Sequence, residues 1–109
     1  MNKRIKRQAA GRKAPAATPG GVVKVRFQCH APTAQRVGVA GTFNDWQPEA
    51  TPLQPQADGL WMAELPLSPG AYEYLFMVDG CWRPDPNAME TSPNPFGTLN
   101  SVLRVNAMR

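Results

Sequence analysis

The sequence predicts an all-β fold, an antiparallel β-sandwich. Three observations predict it. Apolar and polar residues alternate over several short runs, the period-2 signature of strands with one buried face. Twelve prolines and nine glycines punctuate the 109 residues, leaving segments too short for regular helices. About six such runs recur at intervals of roughly 8–12 residues, the spacing of a sandwich. The chain is long enough for one domain with a modest core.

The ordered part opens with Val23-Lys24-Val25-Arg26-Phe27-Gln28-Cys29-His30. Alternation points Val23, Val25, Phe27 and Cys29 inward and leaves the only histidine, His30, outside. Ala31-Pro32-Thr33 ends that strand. A second runs from Gln35 to Ala40 with Val37 and Val39 inward, and leads into Gly41-Thr42-Phe43-Asn44-Asp45-Trp46. Asn44-Asp45 is turn chemistry, because short polar side chains bond nearby backbone and tolerate positive φ. Pro48 to Pro55 reads as a loop anchored by Leu53. Asp58-Gly59 turns the chain into Leu60–Leu67, where Trp61, Ala63, Leu65 and Leu67 share a face, so Trp61 is expected in the core. The longest strand, Ala71–Asp79, sets Tyr72, Tyr74, Phe76 and Val78 on one face and Glu73, Leu75 and Met77 on the other. Asp79-Gly80 is the strongest two-residue hairpin signal, and Cys81-Trp82 follows it. Residues 83–97, rich in Pro, Asn, Asp and Ser, read as a loop. In a last strand Leu99, Ser101, Leu103 and Val105 face inward, with Thr98, Asn100, Val102 and Arg104 outward.

Charge divides the chain. Residues 1–20 hold six basic residues and no acid. In residues 21–109 six basic residues meet eight acids, a net −2, so the overall +4 belongs to the first segment. Residues 1–20 read as a flexible basic arm and 21–109 as the domain. Such an arm could touch nucleic acid, but no aromatic interleaves its charges for stacking on bases, and a solvated leader is the expected role. No apolar run of about 18 residues is present for a membrane span. The basic start lacks the apolar segment of a signal peptide. The expected compartment is the cytoplasm, with Cys29 and Cys81 both as free thiols.

Catalytic constellations are missing. One histidine and two distant cysteines make no metal site. Ser68, Ser92 and Ser101 lack His–Asp partners. Asp45, Asp79, Asp85 and Glu90 could supply a carboxylate pair, but Asp45 and Asp79 sit in turns where a capping role suffices. No enzyme activity and no cofactor are expected.

What remains is a surface. Trp46 and Trp82 each lie at the lip of a turn beside polar residues or proline, poor places for a core. They either cover the ends of the sandwich or form a flat platform. With Thr98 and Asn100 on the outward face of the last strand, two rings, a hydroxyl and an amide converge. That set suits a sugar, whose apolar C–H face lies against an indole and whose hydroxyl rim needs both donors and acceptors. With no charged group expected among them, a neutral ligand fits better than a phosphate.

Residues 22–105 resemble a family-48 carbohydrate-binding module of the immunoglobulin-like early set. Family members include the glycogen-binding domain of AMP-activated protein kinase β-subunits and the N-terminal domains of isoamylase and glycogen-branching enzymes. Gly41-Thr42-Phe43-Asn44-Asp45-Trp46, Gly70-Ala71-Tyr72-Glu73-Tyr74, Phe76-Met77-Val78-Asp79-Gly80-Cys81-Trp82, Asp85-Pro86 and Gly97-Thr98-Leu99-Asn100 carry the resemblance. It implies binding of α-1,4-linked glucan, a polysaccharide such as glycogen or starch or a malto-oligosaccharide. It also implies site residues. Trp46 and Trp82 match the stacking tryptophans, and Thr98 and Asn100 the hydrogen-bonding pair. Phe96 stands where the kinase module has a leucine against the glucan, and Leu75 where it has a lysine reaching a sugar hydroxyl. The (β/α)₈ barrel of the family's enzymes needs roughly 250 residues, so a stand-alone, non-catalytic module is expected. It would target or regulate a glycogen-metabolising protein partner. The competing class is a protein–protein interaction sandwich that kept the fold without the ligand.

Overall fold

A computed structural model describes residues 21–106; the basic arm expected over residues 1–20 lies outside the described residues. Among these, eight strands form two antiparallel sheets, an immunoglobulin-like β-sandwich. In chain order they are β1 (Val23–His30), β2 (Val37–Gly41), β3 (Gln54–Pro55), β4 (Leu60–Leu67), β5 (Gly70–Val78), β6 (Cys81–Arg83), β7 (Glu90–Pro93) and β8 (Leu99–Val105). One sheet runs β1-β4-β3 and the other β2-β5-β8-β7, with β6 also paired to β5.

The strongest alternations, β1 and β4, form the longest ladder. β1 and β4 pair over their full length, from Val23 opposite Leu67 to His30 opposite Leu60. The inner faces of the two sheets meet in a core that includes Phe27, Cys29, Val37, Val39, Tyr74, Phe76 and Val78. Burying a side chain such as Phe76 or Val39, each 0% exposed, contributes about 1.5–3 kcal/mol. Trp61 packs against this core and its Nε1–H donates to the Ala31 carbonyl at 3.0 Å, as expected of the structural tryptophan. Cys29 is buried, Cys81 is exposed, and both are free thiols; burial pushes the Cys29 thiol up.

β5 organises the second sheet. β2 lies along one edge, Val37 opposite Val78 to Gly41 opposite Tyr74. The other edge is shared: β8 pairs its first half, and β6 pairs Phe76–Val78. The tight Asp79–Gly80 hairpin makes this possible, with φ of 48° and 84° at its two residues. It is pinned to the body of the fold, since Asp79 Oδ1 accepts from the backbone N–H groups of Gln35 and Arg36, both at 2.9 Å.

Three expectations need correction. All five residues of β2 are buried, not only Val37 and Val39, because the short 3₁₀ turn Pro48–Ala50 covers its outer face. A Cβ on Gly38 would lie 2.6 Å from the Pro48 carbonyl, so glycine is needed there. Residues 83–97 are not all loop, since they hold β7, paired from Glu90 opposite Val102 to Pro93 opposite Leu99. Finally, Leu99 is 51% exposed and Asn100 only 7%. Leu99 is the first residue of β8, paired only to the edge residue Pro93. Asn100 faces outward but is roofed by neighbouring polar side chains.

Candidate functional site

The outer face of the β2-β5-β8-β7 sheet carries the site. Residues directly opposite in an antiparallel ladder point to the same side. Met77 opposes Trp82, so Trp82 shares the outer face with Glu73, Leu75 and Met77. Glu73 opposes Val102, which brings Asn100, two residues earlier on β8, to that face as well. Trp82 is therefore a strand residue one step past the hairpin, 49% exposed.

Trp46 arrives from the Thr42–Trp46 turn, which Asn44 holds. Asn44 Oδ1 accepts from the backbone N–H groups of Gly41 (3.0 Å) and Gln47 (3.3 Å). Its Nδ2 donates to the Val39 carbonyl (3.0 Å) and Thr51 Oγ1 (2.9 Å). These four bonds hold Asp45 and Trp46 at φ 56° and 59°, left-handed values that side-chain-bearing residues adopt at a cost. Asn44, not Asp45, does the capping that the sequence assigned to this turn. Gly41 is obligatory beneath it: an added Cβ would sit 2.5 Å from the Glu73 carbonyl.

The remaining wall is the segment Asn94–Thr98, folded around one amide. Asn94 Oδ1 accepts from the backbone N–H groups of Phe96 (3.0 Å) and Thr98 (3.2 Å). Its Nδ2 donates to Thr98 Oγ1 (2.8 Å) and Asn100 Oδ1 (3.0 Å). Asn100 Nδ2 in turn donates to Glu73 Oε1 at 3.0 Å. The network leaves the Thr98 hydroxyl proton and the second N–H of Asn100 without a partner among the described residues. Phe96 stands at the rim, 88% exposed.

All six residues expected from the sequence, Trp46, Leu75, Trp82, Phe96, Thr98 and Asn100, line one groove of about 690 Å³. Ring–ring contacts among the described residues join only Phe27, Phe43, Tyr72, Tyr74 and Phe76, so the groove's three rings lie outside the core's aromatic cluster. Sequence reasoning missed Thr42, Glu73, Asn94 and Pro95, which also line it. Glu73 corrects the expectation of an uncharged site. Its signal was present: it precedes Leu75 by two residues and shares its face. Asn94 had no comparable signal, because its role depends on a loop closing back on β8.

Three of the four acids considered for a carboxylate pair have structural roles. Asp79 caps the hairpin. Asp85 Oδ2 accepts from the Tyr74 hydroxyl at 2.6 Å, its Oδ1 from the Asn87 N–H, and its own N–H donates to Ser101 Oγ. Glu90 forms a two-pronged pair with Arg104 at 2.7 and 2.9 Å. Among the described residues no group of His, Cys, Asp and Glu could hold a metal, and no helix is long and apolar enough to cross a membrane.

Residues 23–109 match the family described as the glycogen recognition site of AMP-activated protein kinase. The chain is 38% identical over 90 residues to a 1,4-alpha-glucan branching enzyme of Deinococcus radiodurans, covering 83% of this chain and 12% of that one. It is 33% identical over 75 residues to an amyloplastic phosphoglucan phosphatase of Castanea sativa, covering 68% and 20%. The crystal structure of a maltogenic amylase from S. marinus shares the fold, with a TM-score of 0.66 at 23% identity over 79% of this chain and 14% of that one. The chain thus spans between about one-eighth and one-fifth of these relatives.

Proposed function

We propose, from the premise that the chain belongs to the family of the glycogen recognition site of AMP-activated protein kinase, that it is a non-catalytic module that binds α-1,4-glucan by stacking sugars on tryptophan. One observation carries the stacking: Trp46, Trp82, Thr98 and Asn100 line a single groove on the outer sheet face. The indoles offer apolar faces to pyranose rings, while Thr98 and Asn100 offer donors to the hydroxyl rim. Each ring buries on the order of 150–250 Å² at most, a gross gain of several kcal/mol at about 25 cal/mol/Å². Association costs about 4–15 kcal/mol, so roughly micromolar to millimolar affinity follows for a single chain.

Electrophoresis through gels cast with glycogen tests this. The protein is expected to be retarded, and Trp82→Ala to abolish the retardation with an unchanged circular dichroism spectrum. Equal migration with and without glycogen would refute it. Residues 1–20 are proposed to be a leader dispensable for this binding, so their deletion should leave the retardation intact. By the same reading the module carries a glycogen-metabolising partner to its substrate.

A further inference from the structure

Among the described residues, Glu73 is the one ionisable side chain lining the groove, and no Lys, Arg or His lines it with Glu73. Its carboxylate is not a stray surface charge. Oε1 accepts from Asn100 Nδ2 at 3.0 Å, and Asn100, 7% exposed, is held on its other side by Asn94. The backbone is fixed too, since the Glu73 carbonyl accepts from the Thr42 N–H at 3.0 Å and its own N–H donates to Thr42 Oγ1 at 3.3 Å. A carboxylate tethered in this way keeps its charge inside the groove. The Oε2 atom accepts no hydrogen bond from the described residues. It can take one from a sugar hydroxyl, but it repels any anionic group brought to the same place.

We propose that Glu73 is a specificity-determining residue that makes the groove select neutral glucan against phosphorylated glucan. The proposal rests on the glucan reading above and names the class of glucan. Sugar hydroxyls donate to a carboxylate as readily as to a neutral acceptor, whereas a phosphate monoester carries nearly two negative charges near neutral pH. Beside an uncompensated carboxylate in a half-wet groove, that charge is expected to weaken binding by roughly tenfold. The discrimination is electrostatic and partly solvent-exposed, so it shrinks as added salt shortens the screening length. A residue that only braced Asn100 would affect both glucans alike and show no salt dependence.

The test is calorimetric titration of the full chain with maltoheptaose and with maltoheptaose bearing a 6-phosphate, at low and high ionic strength. The wild type is expected to prefer the neutral sugar about tenfold at low salt, with the ratio falling as salt is added. Glu73→Gln keeps an acceptor for Asn100 and is expected to bring the two affinities within about twofold, while Glu73→Lys reverses the preference. Equal binding of both sugars by the wild type, or a preference that persists in Glu73→Gln, overturns the proposal. Failure of the wild type to bind either sugar overturns the glucan reading and this inference with it.

Discussion

Leu75 lines the groove on the same strand face as Glu73, two residues away. It widens the apolar floor but supplies no donor. A neutral hydrogen bond contributes about 0.5–1.5 kcal/mol net, and one involving a charged group about 1.5–3. The apolar gain from one half-buried leucine is at most similar. Leu75→Lys is therefore expected to tighten maltoheptaose binding severalfold by calorimetry, with the fold intact; weaker binding would mean that Leu75 itself packs on the sugar. Asn94 makes the complementary case. It uses its whole amide to hold Phe96, Thr98 and Asn100. Asn94→Ala should cost on the order of tenfold in maltoheptaose affinity, measured by calorimetry. Trp46, Leu75, Trp82, Thr98 and Asn100 could be read onto one face because each sits in a motif or on an alternating strand, whereas Phe96 came only from the family resemblance. Asn94 could not be read at all, since a polar residue in a Pro-Asn run looks like any loop residue until β7 and β8 bring it back over Asn100.

At the scale of the element, the long amphipathic strands β1, β4 and β5 were read to within a residue, because alternation alone fixes which face is buried. β2 and β7 were not. The outer residues of β2 are Gly38 and Ala40, whose small size reads as neither polar nor apolar and is explained only by the Pro48 turn lying on them. Gly38→Ala is accordingly expected to destabilise the fold by about 1–3 kcal/mol, as overpacking does, measured as a lowered urea midpoint at unchanged slope. β7 is a short edge strand ending in Pro93. Proline is tolerated at such edges and weakens the sequence signal that would have revealed it.

For the whole molecule, the segment after β6 is tied to β5 by a part-buried polar pair that no strand pattern announces. Tyr74 is 5% exposed and donates to Asp85 Oδ2 at 2.6 Å. Burial first, then the hydrogen bond and charge of Asp85, push its phenol far above the ordinary tyrosine range. The fold therefore favours the neutral phenol. Unfolded tyrosine ionises near pH 10, so this stabilisation is complete below about pH 10 and erodes above it, by about 1.4 kcal/mol per pH unit for this one group. Tyr74→Phe should lower stability at pH 7 by about 1–3 kcal/mol, because Asp85 loses its donor. It should also flatten the alkaline decline. Urea titrations of both proteins at pH 7 and 11 check this; parallel losses at the two pH values would contradict it.

The registers of β1 and β5 carry a consequence for chain connectivity. Val23 opposes Leu67, and Val105 opposes Gly70. Only Ser68 and Pro69 separate Leu67 from Gly70, so the first and last strands of the sandwich end beside the same turn. The groove residues Leu75 and Trp82 lie further along β5 and β6, toward the hairpin. A linker of about four to six residues should join 106 to 22, and new termini can be cut beside Met89, which is 99% exposed. Such a circular permutant is expected to fold and to be retarded by glycogen like the parent order. Topologically the domain is a ring whose opening can be moved, so it can be inserted within another polypeptide as readily as attached to its end.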